Sequence, residues 1–308
     1  MAGRLLLSRS VNTGTKYYGA FAKWEHFISG HGFSSIPANP IHVALYLNSL
    51  LEKGGTYAVV SSAVYAIKWV HNLNGHIDPT TNSFVQNLIE FSKREAKNPV
   101  CKKEPVTTDI LINLCGMFLN ENDLLVVRDL AMILLGFSGF LRFNELSSLR
   151  CSDVQFFEGH LTLNIRKSKT DKYRFGSQVV ISKGSTVACP YTMLSRYVEL
   201  SKIDLSSDHF LFKQVYRSGQ GCKLINKNKP LSYTGARQAV MKRLKLVSND
   251  TNFGLHSLRA GGATVAANNG VNDRCFRRHG RWKGESSKDG YVADSLESRL
   301  LVTQKLGL

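Results

Sequence analysis

Between residues 94 and 109 the chain reads REAKNPVCKKEPVTTD, a polar and basic stretch broken by Pro99 and Pro105. Proline removes a backbone donor and biases the residue before it towards extended conformations, so no long element crosses this stretch. It separates two parts of different character within the 308 residues. The part before it repeats apolar residues at helical spacing, whereas the part after it mixes helical and alternating periods. The expected organisation is a helical domain at 1–97, an exposed linker at 98–107 and a second domain at 108–308.

In the first domain Tyr17, Phe21, Trp24 and Ile28 share one helical face. Asn39 followed by Pro40 is a helix start, and Gly54-Gly55 a stop. TYAVVSSAVYAIKWVHNLNG closes at Asn74-Gly75, and PTTNSFVQNLIEFSKREAK supplies a fourth helix with Thr80 or Thr81 as its cap. Four such helices make a compact bundle whose aromatic stripe reads as core rather than as a platform for bases. In the second domain a helix is expected from near Thr108, and NDLLVVRDLAMILLGFSGF predicts an apolar helix central to a core. Two β-rich runs, 161–165 and 178–181, flank a charged middle and predict a small antiparallel sheet. LSYTGARQAVMKRLKLV and LHSLRAGGATVAANNG return to helical spacing. The fold class is therefore mainly α with a small antiparallel β-sheet, an α+β arrangement.

Charge narrows the partner. Forty Lys and Arg against 23 Asp and Glu leave +17, a surplus that favours a polyanion such as nucleic acid. The longest apolar run, LAMILLGFSGFL from Leu130, is too short to span a bilayer. MAGRLLLSRSVNTG lacks the long apolar segment and cleavage-like site of a signal peptide. The six cysteines, at 101, 115, 151, 189, 222 and 275, form no C-x-x-C pair and have no His at zinc spacing. They read as reduced thiols of a cytosolic or nuclear protein, with no metal site expected. No phosphate-loop, dinucleotide, nucleophile-elbow or zinc-helix motif is present, and no carboxylate cluster suits Mg²⁺.

A few residues remain that suit phosphate chemistry. His256 and Arg259 lie at i and i+3, on one face of a helix. Arg offers a planar fork that matches phosphate oxygens, and His can donate a hydrogen bond or move a proton. Arg142 stands between two helical segments with Glu145 three residues on, within reach of an ion pair. Lys169 sits in the charged middle of the β-hairpin, with Lys167 and Lys172 as competitors because sequence does not fix the register. Tyr291 follows Trp282 by nine residues. A phenol, with a pKa of about 10, needs a charge-stabilising site to act as a nucleophile, which two arginines and a lysine would supply.

In this order, Arg142, Lys169, His256-x-x-Arg259, Trp282 and Tyr291 resemble the active-site set of the tyrosine recombinases, also called phage-integrase-type recombinases. GFLRFNEL is similar to the first arginine box, KSKTD to the hairpin lysine and HSLR to the H-x-x-R box. Trp282 falls where the family has His or Trp; His279 competes for that place but is twelve residues from Tyr291. The wording of HSLRAGGATVAANNGV and RHGRWKGESSKDGYVADS looks more like the DIRS and Crypton recombinases of eukaryotic mobile elements than like the bacterial Xer proteins. The resemblance implies cleavage and rejoining of double-stranded DNA through a 3′-phosphotyrosyl link, without cofactor or metal. It further implies a core-binding role for the first domain, a nucleus (or the cytoplasm, for a prokaryotic source) and a homotetramer on paired sites that is a monomer or weak oligomer without DNA. Lys102, Lys103, Lys167, Lys172, Arg174, Arg274, Arg277, Arg278, Arg281 and Lys283 are the expected DNA contacts. Leu296, Leu300 and Leu301 repeat at helical spacing in a tail expected to dock on a neighbouring protomer. The competing readings are a recombinase-derived DNA-binding protein that no longer cuts, a type IB topoisomerase-like relaxing enzyme, and a helical RNA-binding protein.

Overall fold

The computed structural model describes residues 10–95, 102–169, 171, 175–219, 221–249 and 252–306. The chain falls into two compact units, Met1–Cys101 and Lys102–Leu308.

Among its described residues the first unit holds four α-helices: α1 Val11–Ser29, α2 Pro40–Glu52, α3 Tyr57–Leu73 and α4 Ser83–Arg94. Local signals set their starts. The Asn39 side chain accepts from the Ile41 N–H with Pro40 in the first turn, which satisfies a donor that helix geometry leaves unpaired. Trp24 is fully buried with Phe21 and Ile28 against Val43, Leu47, Val60, Ile67 and Val85, while Tyr17 packs at the margin. The cap of α4 differs from expectation. Asn82 holds that position and accepts from Phe84 N–H, because Thr80 and Thr81 belong to a short 3₁₀ turn, Pro79–Thr81, which Asp78 caps. Asp78 Oδ1 accepts from both the Thr80 N–H and its hydroxyl, so those threonines are already engaged.

The second unit is built on α6, Leu124–Ser138, whose start Asp123 caps through Leu125 N–H. Its sides are buried almost throughout, and it packs against α8, Pro190–Ser201, and α10, Leu255–Asn268. The helix α5 is Thr108–Gly116, and α7, Phe143–Ser148, follows α6 directly. A three-stranded antiparallel sheet runs in the order β1 Val154–Phe156, β2 His160–Ile165, β3 Ser177–Ser182, with Leu163 opposite Val179. A second hairpin, β4 Val215–Ser218 with β5 Gly221–Leu224, was not foreseen, since its short polar strands lack apolar alternation. The remaining helices are α9 Tyr233–Leu244, α11 Asp273–Gly280, α12 Glu285–Asp289 and α13 Leu296–Gln304.

The expected linker shortens at its C-terminal end. Val106 is buried, its N–H donates to Ser257 O at 3.1 Å, and Glu104 N–H donates to Asn252 O at 3.3 Å. Residues 102–107 thus pack on the second unit. Glycine permits this: a Cβ on Gly261 would collide with the Val106 carbonyl, and one on Gly262 with the Phe137 carbonyl.

One buried polar cluster joins distant helices. Asp129 Oδ1 accepts from Arg128 Nη2 at 2.6 Å, and its Oδ2 accepts from Arg243 Nη2 at 3.0 Å and Nε at 3.1 Å. All three side chains are buried, and Arg128 also donates to Lys213 O. No helix among the described residues is long and apolar enough to cross a membrane.

Candidate active site

Three separate segments of the second unit bring the chemistry-bearing side chains together: the α6–α7 junction, the first turns of α10, and the stretch after α11. Arg142 is the N-cap residue of α7. Its backbone N–H donates to Glu145 Oε2 at 2.9 Å and its Nη1 to Glu145 Oε1 at 2.8 Å. Glu145 is buried. Burial alone would raise its carboxyl, but Arg281 and Arg142, with the Arg142 backbone N–H, hold it below the usual carboxylate range. The i, i+3 pair foreseen in sequence is thus one half of a carboxylate shared by two guanidinium groups.

Arg259 is wholly buried on α10. Its Nη1 donates to Phe140 O and its Nη2 to Gly280 O at 2.6 Å. The guanidinium carbon lies 4.7 Å from the Trp282 ring centroid and 4.8 Å from that of Tyr291, so the cation sits between two aromatic rings. Its Nε has no hydrogen-bond partner among the described residues, nor has the Trp282 indole N–H. Burial first, then Arg142 and Arg281, lower the pKa of Arg259. An incoming anion would relieve both the unmet donors and this like-charge crowding.

His256 stays accessible one turn earlier, its ring centroid 6.5 Å from that of Tyr291. Surrounding protein, then the cations Arg259, Arg142 and Lys169, lower its pKa, so it is neutral at neutral pH. Lys169, exposed on the loop after β2, therefore lies near enough for its charge to reach His256. Lys167 is exposed on the same loop but is not among those cations. Lys172 and Arg174 lie outside the described residues.

Trp282 is buried against Phe140 and Phe276, with Tyr291 half-buried beside them. Gly280 is required here, because any Cβ would enter the Trp282 ring. His279 is held elsewhere: its Nε2 lies 2.7 Å from Ser138 O and its ring stacks edge-on against Phe140.

The other expected contacts divide. Arg274, Arg278, Lys283 and Lys102 are exposed. Arg277 makes loose pairs with Asp273 and Glu285, both at 3.9 Å, and Lys103 Nζ bonds Asn252 Oδ1 at 2.9 Å. Arg281 is a correction. It was expected on a DNA-facing basic cluster, yet it is only 8% exposed, because a left-handed backbone (φ 56°) turns its side chain inward. That conformation costs an L-residue roughly 1–2 kcal/mol, and glycine is its usual occupant at a helix end. Neither Glu145 as a shared acceptor nor Arg281 as its second partner was visible in sequence.

These observations can be set beside known proteins. The chain is 26% identical over 294 residues to an integrase/recombinase XerD homologue of Selenomonas ruminantium, covering 94% of this chain and 83% of that one. It is 27% identical over 222 residues to a putative tyrosine recombinase of Caldanaerobacter subterraneus, covering 69% and 68%. Among solved structures, the XerH recombinase in a post-cleavage complex with its palindromic difH substrate superposes with a TM-score of 0.63 at 15% identity, over 96% of this chain and 78% of that one. The Tn1549 transposon integrase bound to transposon right-end DNA gives 0.60 at 13% identity, over 100% and 99%. These superpositions show a shared fold. The model of the phage integrase family matches residues 116–297, well over half of the sequence and all of Arg142, Lys169, His256, Arg259, Trp282 and Tyr291, and the chain belongs to that family.

Proposed function

We propose that this chain, a tyrosine recombinase that cleaves and rejoins DNA, uses Tyr291 as its nucleophile. The phenolate attacks a backbone phosphorus, forms a 3′-phosphotyrosyl bond and releases a 5′-hydroxyl strand. Arg142 and Arg259 bind the non-bridging oxygens and stabilise the added charge. Lys169 protonates the leaving 5′ oxygen; its influence on His256 favours it over Lys167. Neutral His256 assists proton transfer or phosphate binding, and Trp282 donates its indole N–H. The observation that carries this reading is the buried Arg259 guanidinium between the Trp282 and Tyr291 rings, with unmet donors on Arg259 and Trp282 alongside.

Arg274, Arg278, Lys283 and Lys102 are the preferred phosphate contacts outside the site, and duplex binding weakens steeply with salt. The first unit serves as a core-binding domain. Helix α13 leaves Leu296, Leu300 and Leu301 exposed, which suits docking on a neighbouring copy in a tetramer on paired sites. The wording of the C-terminal block supports the DIRS and Crypton subgroup, and with it a nuclear, mobile-element role.

Covalent capture tests the reading. A pool of nicked suicide duplexes incubated with the protein in EDTA should give a denaturation-resistant adduct joined to the 3′-phosphate end at the break, with a free 5′-hydroxyl on the released strand. A free 3′-phosphate, or a requirement for divalent metal, would overturn it. Arg259→Lys keeps the charge but loses the fork, and single-turnover cleavage should slow by about a thousandfold. A change under tenfold would remove Arg259 from its assigned role.

A further inference from the structure

The Arg281 guanidinium bonds the same two acceptors that orient the two phosphate-binding arginines. Its Nη2 donates to Glu145 Oε2 and to Phe140 O, both at 2.8 Å, and its Nη1 donates to His279 O at 2.7 Å and Gly139 O at 3.2 Å. Glu145 is the carboxylate that holds Arg142, and Phe140 O is one of two carbonyls that hold Arg259. Phe140 itself has a left-handed backbone, φ 46°, which is uncommon for a large side chain and presents its carbonyl to both guanidinium groups. Two of the three non-glycine residues with positive φ among the described residues therefore meet in one hydrogen-bonded knot beneath the candidate site.

Charge gives this knot a second consequence. A carboxylate paired with a single arginine neutralises it and weakens its pull on a phosphate. Glu145 is divided between Arg142 and Arg281, so the group of Arg142, Arg259 and Arg281 around one carboxylate keeps a net positive charge. We infer that Arg281 is a positioning residue for phosphoryl transfer. It fixes Arg142 through Glu145 and Arg259 through the Phe140 carbonyl, and leaves Arg142 enough positive charge to stabilise the pentacoordinate phosphorus. It touches no DNA. This inference rests on the phosphotyrosyl reading above.

Arg281→Gly is the informative variant, because glycine accepts the left-handed backbone and removes only the side chain. In titrations of a suicide duplex the variant should bind within about threefold of wild type, and at saturating protein it should cleave about 100-fold more slowly, as expected for ångström-scale misplacement of catalytic groups. A duplex with a methylphosphonate at the scissile position lacks one non-bridging charge and so demands less of Arg142. On it the defect should shrink to under about tenfold, since the interaction removed matters only in the transition state. Equal defects on both duplexes, with a lowered melting temperature, would reduce Arg281 to a fold-stabilising residue and overturn the inference. So would cleavage by Arg281→Gly at the wild-type rate, or a loss confined to binding. Failure of wild type to form an adduct on either duplex would instead bring down the phosphotyrosyl reading itself.

Discussion

Tyr291→Phe should form no covalent adduct with DNA while binding duplex as wild type does. Phenylalanine keeps the ring beside Arg259, Trp282 and His256, so the packing that the structure shows is preserved and only the hydroxyl is lost. Loss of a nucleophile costs on the order of a millionfold in rate, which puts the variant below detection in a gel. Binding should persist because the expected phosphate contacts on α11 and at Lys102 are unchanged, and it should retain its steep salt dependence. An adduct that survives the substitution would mean that another residue attacks the phosphorus.

Asp129→Ala should be the most destabilising of the single changes considered. Asp129 is buried between Arg128 and Arg243, and its carboxylate is their shared acceptor. Removing it leaves two like charges buried without their counterion, a loss of roughly 3–5 kcal/mol. For a unit of this size that corresponds to a melting temperature lower by about 10 °C. Asp129→Asn keeps the shape and some hydrogen bonding, and should lie between the two. Denaturant titration of the three proteins would decide the matter, and a loss under about 1 kcal/mol for Asp129→Ala would show that the two arginines find other partners.

The residues that carry local signals were legible in sequence. Asn39-Pro40 gave a helix start at its observed place, and the two β-rich runs pair as antiparallel strands. The order and spacing of Arg142, His256, Arg259, Trp282 and Tyr291 sufficed to suggest a family. What escaped was decided by contacts between distant segments. Asp129 reaches Arg243 across 114 positions and Arg281 reaches Glu145 across 136, separations that no periodicity encodes. Arg281 illustrates the cause: in RRHGRWKG it is one of several cations, and it turns inward on a left-handed backbone to acceptors more than 130 positions away while Arg278 faces solvent. The Asn82 cap escaped for a local reason, since Asp78 competes for the threonines on which the expectation rested.

The surroundings of Trp282 also make it an optical gauge. The sequence contains three tryptophans, and Trp24 and Trp69 belong to the first unit. With those two replaced by phenylalanine, all indole emission would come from the ring that lies against Arg259 and Tyr291. That indole is buried and its N–H has no acceptor among the described residues, the condition for short-wavelength emission. A phosphate accepting from it would stabilise the excited state and move the emission to longer wavelength, so the entry of DNA into the site, before any bond is broken, can be followed in the ultraviolet fluorescence.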